Sequence, residues 1–439
     1  MTPWRRSRRA CRILSLCLLA AVPAAAQRTP VFRDGFETGW LCRWSSHAAL
    51  CRSPYCPPYV DWPLARARSR EVAADPANWI SRIEGAQDGD EILLADGAYS
   101  IPANHYAVQI TASITVRSAS GDRDAVVVSG AGYGVPGEGL MVMAPDVSIA
   151  SLTIRDVRNH AISVKGELGA EAPRIYDVHL VDIGTQHVKA TATTHDGVVA
   201  CSRLGWTGSG ATGDYIDAID VHGGVDWTVA DNVIYNHWGD GTGCEVDVDC
   251  GTYASGGGPA ILFWNGSSGT LVERNLILDA YRGIALGFGT AHAGGAVRNN
   301  FFWQPTPGRP GARGFIPGDT GIQIQAGSGV AVDHNTVLLG GAYPGPIEVW
   351  NSDGISVRNN LINTTVWDRG GNTGLAIAGN KTDAGASDFV AAGDPHLAPG
   401  SGAVDYAGSV SVPEVRDDLD GDVRPTGPRR DAGCDEKAP

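Results

Sequence analysis

Seven short apolar stretches of this chain superpose: 161–166 (AISVKG), 187–192 (HVKATA), 218–223 (AIDVHG), 260–265 (AILFWN), 283–288 (GIALGF), 321–326 (GIQIQA) and 346–351 (PIEVWN). Asn232, Asn275, Asn335 and Asn360 each follow the first core residue of a stretch by 13 or 14 positions, and Arg298-Asn299-Asn300 repeats the signal slightly out of step. Self-similarity of this kind marks a stacked architecture, because one repeat cannot bury its own apolar face. Repeats made of strands without helices predict an all-β fold, a single-stranded right-handed parallel β-helix of roughly ten coils. Asparagine tolerates the left-handed backbone of a sharp turn, and its amides can hydrogen-bond from coil to coil.

The rest of the chain divides around this body. Residues 1–26 read as a secretory signal: Arg5, Arg6, Arg8, Arg9 and Arg12 lead, 13–22 is apolar, and Ala24-Ala25-Ala26 precedes Gln27. The apolar run is far shorter than the ~20 residues of a membrane span. The expected location is therefore extracellular or periplasmic, with no membrane span. Residues 27–61 form a small Cys-containing segment that ends in a Pro-rich linker, and 62–439 form the β-helix with its two caps. Within 75–99, an amphipathic helix carrying Trp79, Ile80 and Ile83 caps the first coil, and the strand EILLADGAY follows.

Removing five arginines with the signal takes the formal charge from −14 to about −19. That argues against nucleic acid or an anionic membrane as partner, and against a polyanionic substrate unless a local basic patch overrides the global field; a monomer is expected. Seven cysteines remain. Cys244 with Cys250 is the expected disulfide, two of Cys42, Cys51 and Cys56 are expected to pair, and Cys201, in the run VVACS, reads as a buried core thiol.

Alternation along the strands sets two outward columns. The first reads Ser163, Lys189, Asp220, Leu262, Ala285, Gln323, Glu348. The second reads Lys165, Thr191, His222, Trp264, Gly287, Gln325, Trp350. Neighbours in a column lie ~4.8 Å apart, which gathers Lys165, Lys189, Asp220, His222 and Trp264 into one patch. Lys189 is the candidate base. His222 or Arg282 is the candidate acid or carboxylate clamp, with Lys165 beside them. Trp264, Asn265, Gln325 and Trp350 are candidate sugar contacts, since flat aromatics suit the apolar faces of sugar rings. Asp220 and Asp217 are candidate cation ligands, with Ca²⁺ as the possible cofactor. The Gly-rich inserts 193–215 and 238–259, carrying His195, Asp196, Trp206, Asp240, Glu245, Asp247 and Asp249, read as groove walls. Asp394-Pro395-His396 and the acids Asp418, Asp420 and Asp422 read as turns.

From 75 to 436, the strand register and the asparagines resemble the pectate-lyase-like superfamily of right-handed parallel β-helices, and the C-terminus, 393–408 with 417–436, resembles the closing segment of bacterial β-helix proteins. The first coil, with its pattern DGDEILLADGAY (88–99), resembles polysaccharide lyases of the chondroitinase B and alginate lyase type. The resemblance implies cleavage of a uronate-containing glycan by β-elimination, with a Lys base, an Arg partner and Ca²⁺. A glycoside hydrolase, a C5-epimerase and a non-catalytic glycan-binding or surface protein are the alternatives on the same fold.

Overall fold

A single coil leaves every strand's N–H and C=O groups unpaired, so coils must stack to satisfy them. The computed structural model describes residues 55–207, 216–240, 256–311, 314–407 and 410–437, and in it the chain winds through three long sheets of 12, 10 and 10 strands. One coil runs Ile162–Lys165, Arg174–Tyr176 and His179–Val181, and the next begins at Val188–Thr191. Each strand pairs in parallel with its counterpart one coil away, giving a parallel β-helix.

The register is the expected one. Ile162, Val188, Ile219, Ile261, Ile284, Ile322 and Ile347 are consecutive Cα partners in one sheet, called here the site sheet. All are buried, within one continuous apolar core.

The asparagines form a ladder. The side-chain amide of Asn232 donates to Asn275 Oδ1 (2.9 Å), Asn275 to Asn300 (3.0 Å), Asn300 to Asn335 (2.9 Å), Asn335 to Asn360 (3.0 Å) and Asn360 to Asn380 (2.8 Å). The same oxygens accept the backbone N–H of the preceding rung. The left-handed residue, however, is not the ladder asparagine but the one before it: Asp231, Arg274, Asn299, His334 and Asn359 all have φ between 52° and 61°. The turn takes two residues, one to reverse the chain and one to bond along the axis.

The helix Trp79–Glu84 lies between the strands Arg70–Ala74 and Asp90–Leu94 and packs on Val108–Ile110, the first strand of the site sheet. It buries Trp79 and Ile83, with Trp79 edge-on to Tyr99 at 5.6 Å. It thus packs beside the edge strand of the site sheet.

The cysteine expectations need correction. Cys56 is bonded to Cys201, 145 residues apart. The strand ends at Ala200, so Val199 faces the core and Cys201 is the left-handed turn residue (φ 55°) outside it. There Tyr59 and Trp62 pack with Ala150, Tyr176, Val198, Ala200 and Cys201 in a second apolar cluster. Cys434 is the buried free thiol among the described residues. Residues 1–26, Cys42, Cys51, Cys244 and Cys250 lie outside them.

Replacing a mid-ladder amide orphans buried groups on both sides. Asn300→Ala is expected to cost about 1–3 kcal/mol in denaturant unfolding. Asn380→Ala, at the ladder's last rung, should cost less. Equal losses would mean that the bonds do not act along the column.

Candidate functional site

The first outward column forms the floor of the site sheet's outer face, and it is buried: Ser163 and Asp220 are 0 % exposed and Lys189 7 %. Lys189 Nζ ion-pairs with Asp220 Oδ2 and lies 2.7 Å from His222 Nε2. Trp264 Nε1 donates to Asp220 Oδ1 at 3.0 Å, and His222 Nε2 is 3.4 Å from the same oxygen. His222 packs edge-on to Trp264 at 4.7 Å, with its Nδ1 3.0 Å from the Asn265 amide. Burial by itself would raise the Asp220 carboxyl, but the hydrogen bond with His222 and the charge of Lys189 outweigh it and hold the group below its ordinary value.

A third column joins these two. Two residues before each strand's first core residue stand Glu138, His160, Gln186, Asp217 and, further on, Arg282. Glu138 lies 3.3 Å from Lys165 Nζ and 3.9 Å from His160 Nε2. Gln186 donates to Asp217 at 3.3 Å. Burial, with the ammonium groups of Lys189 and Lys165, pushes the His160 imidazole down to about 4. Sequence reasoning missed Glu138, His160 and Gln186 because they sit in the bend before the strand, where alternation is broken. Counting two residues back from each aligned isoleucine was the signal that could have found them.

Other candidates lie further along the axis. Arg282 is committed to Asp319 (Nε to Oδ2, 2.8 Å) and lies 4.9 Å from the Phe288 ring, which in turn sits 6.5 Å from Trp264. Trp350 belongs to a separate cluster: Arg369 lies over its ring at 4.0 Å and ion-pairs with Glu348 at 3.0 Å, which also accepts from Gln323. Gln325 is half-buried one rung from Trp350. Of the proposed groove walls, His195 and Asp196 are exposed, whereas Trp206 is fully buried between the rings of His187 and His237. Trp206 is a packing residue, not a wall. Glu245, Asp247 and Asp249 lie outside the described residues.

The surroundings of Asp220 do not fit Ca²⁺. Its oxygens face an ammonium, an indole N–H and an imidazole, and a divalent cation would have to displace Lys189. Asp217 is buried and accepts from Gln186. Among the described residues, the group of three with ligand atoms within 4.8 Å of one another is His396, Asp420 and Asp435, in the closing segment. There His396 bonds Asp394 (2.6 Å) and Asp420 (2.8 Å), and Asp418 Oδ1 accepts three N–H groups of its own turn.

No family sequence profile matches the chain, and no curated protein sequence does. Solved structures do. Pectate lyase Pel9A shares 11 % identity at a TM-score of 0.53, over 87 % of this chain and 99 % of its own. An alginate lyase from Paenibacillus sp. str. FPU-7 shares 17 % at 0.42, over 71 % and 99 %. The A-module of the Azotobacter vinelandii mannuronan C-5 epimerase AlgE6 shares 12 % at 0.41, over 69 % and 84 %. The likeness to Pel9A bears out the parallel β-helix.

Removing Lys189 takes the ammonium away from the buried Asp220 carboxylate and leaves it facing His222 and Trp264. Lys189→Ala is expected to lower stability by about 3–5 kcal/mol, contrary to what an exposed outward lysine implies. The pair Lys189→Met with Asp220→Leu should recover most of that loss in thermal melts.

Burial also pushes His187 down to about 4 and His237 to about 3. With His160, these groups stay neutral in the fold but protonate near 6.5 when unfolded. Their contribution is full above pH 6.5 and is lost as pH falls toward 4 and below. Melting temperature should therefore fall steadily from pH 7 to pH 4. A flat profile across that window would exclude the buried neutral histidines as its cause.

Proposed function

We propose that this chain is an exported lyase that cleaves a uronate-containing polysaccharide by β-elimination over Lys165, Lys189, Asp220, His222 and Trp264. The observation that carries the reading is the position of Lys189 Nζ, shared between Asp220 and His222, with Lys165 on the adjacent strand paired to Glu138. The Cys56–Cys201 disulfide supports export.

β-Elimination removes the proton beside the uronate carboxylate, forms the ring double bond and breaks the bond to the 4-linked oxygen, which takes up a proton. Lys189 passes one proton to His222 Nε2 and, now neutral, takes the proton from carbon. The His222 imidazolium, stabilised by Asp220, delivers its proton to the leaving oxygen. Lys189 regains its positive charge as it takes up the carbon proton, and with Lys165 it offsets the charge that builds on the substrate carboxylate. Asp220 orients both partners, and Trp264 offers an apolar ring at the edge of the patch. No step uses a metal.

The test is a panel of alginate, pectate, glucuronan, chondroitin and neutral glycans. The expected product is an unsaturated uronate with new ultraviolet absorbance, still formed in the presence of EDTA. Lys189→Ala should reduce turnover at least ~100-fold. Reducing ends without absorbance would mean hydrolysis, altered uronate stereochemistry without cleavage would mean epimerisation, and binding without product would mean a glycan-binding protein. Loss of activity with EDTA would place a required cation outside the Asp220 network.

A further inference from the structure

The third column does not stop at Glu138. Val108 pairs with Leu140, so Tyr106 stands two residues before its own strand, one rung below Glu138. The backbone confirms the step, since Glu138 N donates to Tyr106 O at 2.7 Å. The column therefore reads Tyr106, Glu138, His160, Gln186, Asp217. Between its lower end and the neighbouring turns lies an open surface cleft, lined by His105, Tyr106, Gly137, Glu138 and Arg158 among others.

Two observations give this cleft a ligand. Glu138 is 5 % exposed, and its Oε2 has no hydrogen-bond partner among the described residues, while Oε1 faces Lys165. A buried acceptor left unpaired is costly, so such a group calls for a donor that the chain does not supply. Tyr106 is the opposite case: 52 % exposed, it is one of few large rings on the described surface with no apolar cover, and its hydroxyl accepts from the Asn159 amide at 3.3 Å. A flat exposed ring beside an acceptor that lacks a donor matches a pyranose, which has an apolar face and hydroxyl donors on its rim.

We propose that this cleft is a distal sugar subsite of the same groove. It takes one pyranose ring against Tyr106, with a ring hydroxyl donating to Glu138. The charge of Glu138 turns the carboxylate of a uronate away, toward Arg158. From Tyr106 to Trp264 the site sheet advances five rungs, roughly 24 Å, the length of a short oligosaccharide. The proposal rests on the glycan reading of the Lys189 patch but not on its chemistry.

The experiment measures the affinity of the full chain for trimer and hexamer series of oligogalacturonate and oligomannuronate by calorimetry, with turnover measured separately. Wild type should bind the hexamer of one series on the order of tenfold more tightly than its trimer. Tyr106→Ala should abolish that gain, Tyr106→Phe should keep it, and Glu138→Gln should reduce it. A length-dependent gain that survives Tyr106→Ala overturns the subsite, as does equal binding of trimer and hexamer or no binding at all. If the gain behaves as expected but no oligomer is turned over, the subsite stands and the lyase reading falls.

Discussion

The hydrogen bonds that run parallel to the solenoid axis are the constraint on which everything else depends. Each coil of this chain is too short to satisfy its own backbone or bury its own apolar face, and both needs are met only by the coil above and the coil below. The column Asn232, Asn275, Asn300, Asn335, Asn360, Asn380 adds a second set of axial bonds at one turn, buried from Asn232 to Asn360. A slip of one residue would break every rung and would also turn the core face of each strand outward. The register that the ladder secures is the same register that brings Lys189, Asp220 and His222 together from successive coils.

That register explains why charged groups can be buried on the outer face. Asp220 carries a charge at 0 % exposure because three donors from neighbouring residues meet it: Lys189 from the coil before, His222 from its own strand and Trp264 from the coil after. Such a network adds little stability compared with an apolar replacement. Its value is that it holds an ammonium and an imidazole 2.7 Å apart in fixed orientation, which is the kind of preorganisation that proton-transfer chemistry requires.

Two segments near the ends of the described residues cover the turns of the left-handed column. Tyr55 to Trp62 and the closing segment both pack over the left-handed column. Tyr55 lies 3.9 Å from the Arg274 guanidinium and donates to Asp417, and Asn299 and Asn359 donate to Asp417 O and Val410 O. The disulfide fixes the first of these covers at Cys201, itself a member of that column.

The sequence alone determined the strand register, and with it the fold. Period-two alternation and a repeated isoleucine are local signals, and parallel stacking converts them directly into neighbours in space. For that reason Lys189, Asp220, His222 and Trp264 were legible as one patch. The tertiary structure decided what lies off the strands. Glu138, His160 and Tyr106 sit in bends where alternation gives no direction, so only the folded chain places them in a column beside the patch. Depth was also hidden: the alternation that turns Lys189 outward cannot say that neighbouring residues cover it. Arg282 and Trp350 were assigned to the groove by spacing, but their nearest partners, Asp319 and Arg369, come from the following coils. Cys201 pairs with Cys56 because a segment 145 residues earlier folds back onto the turn, a contact that no periodicity encodes.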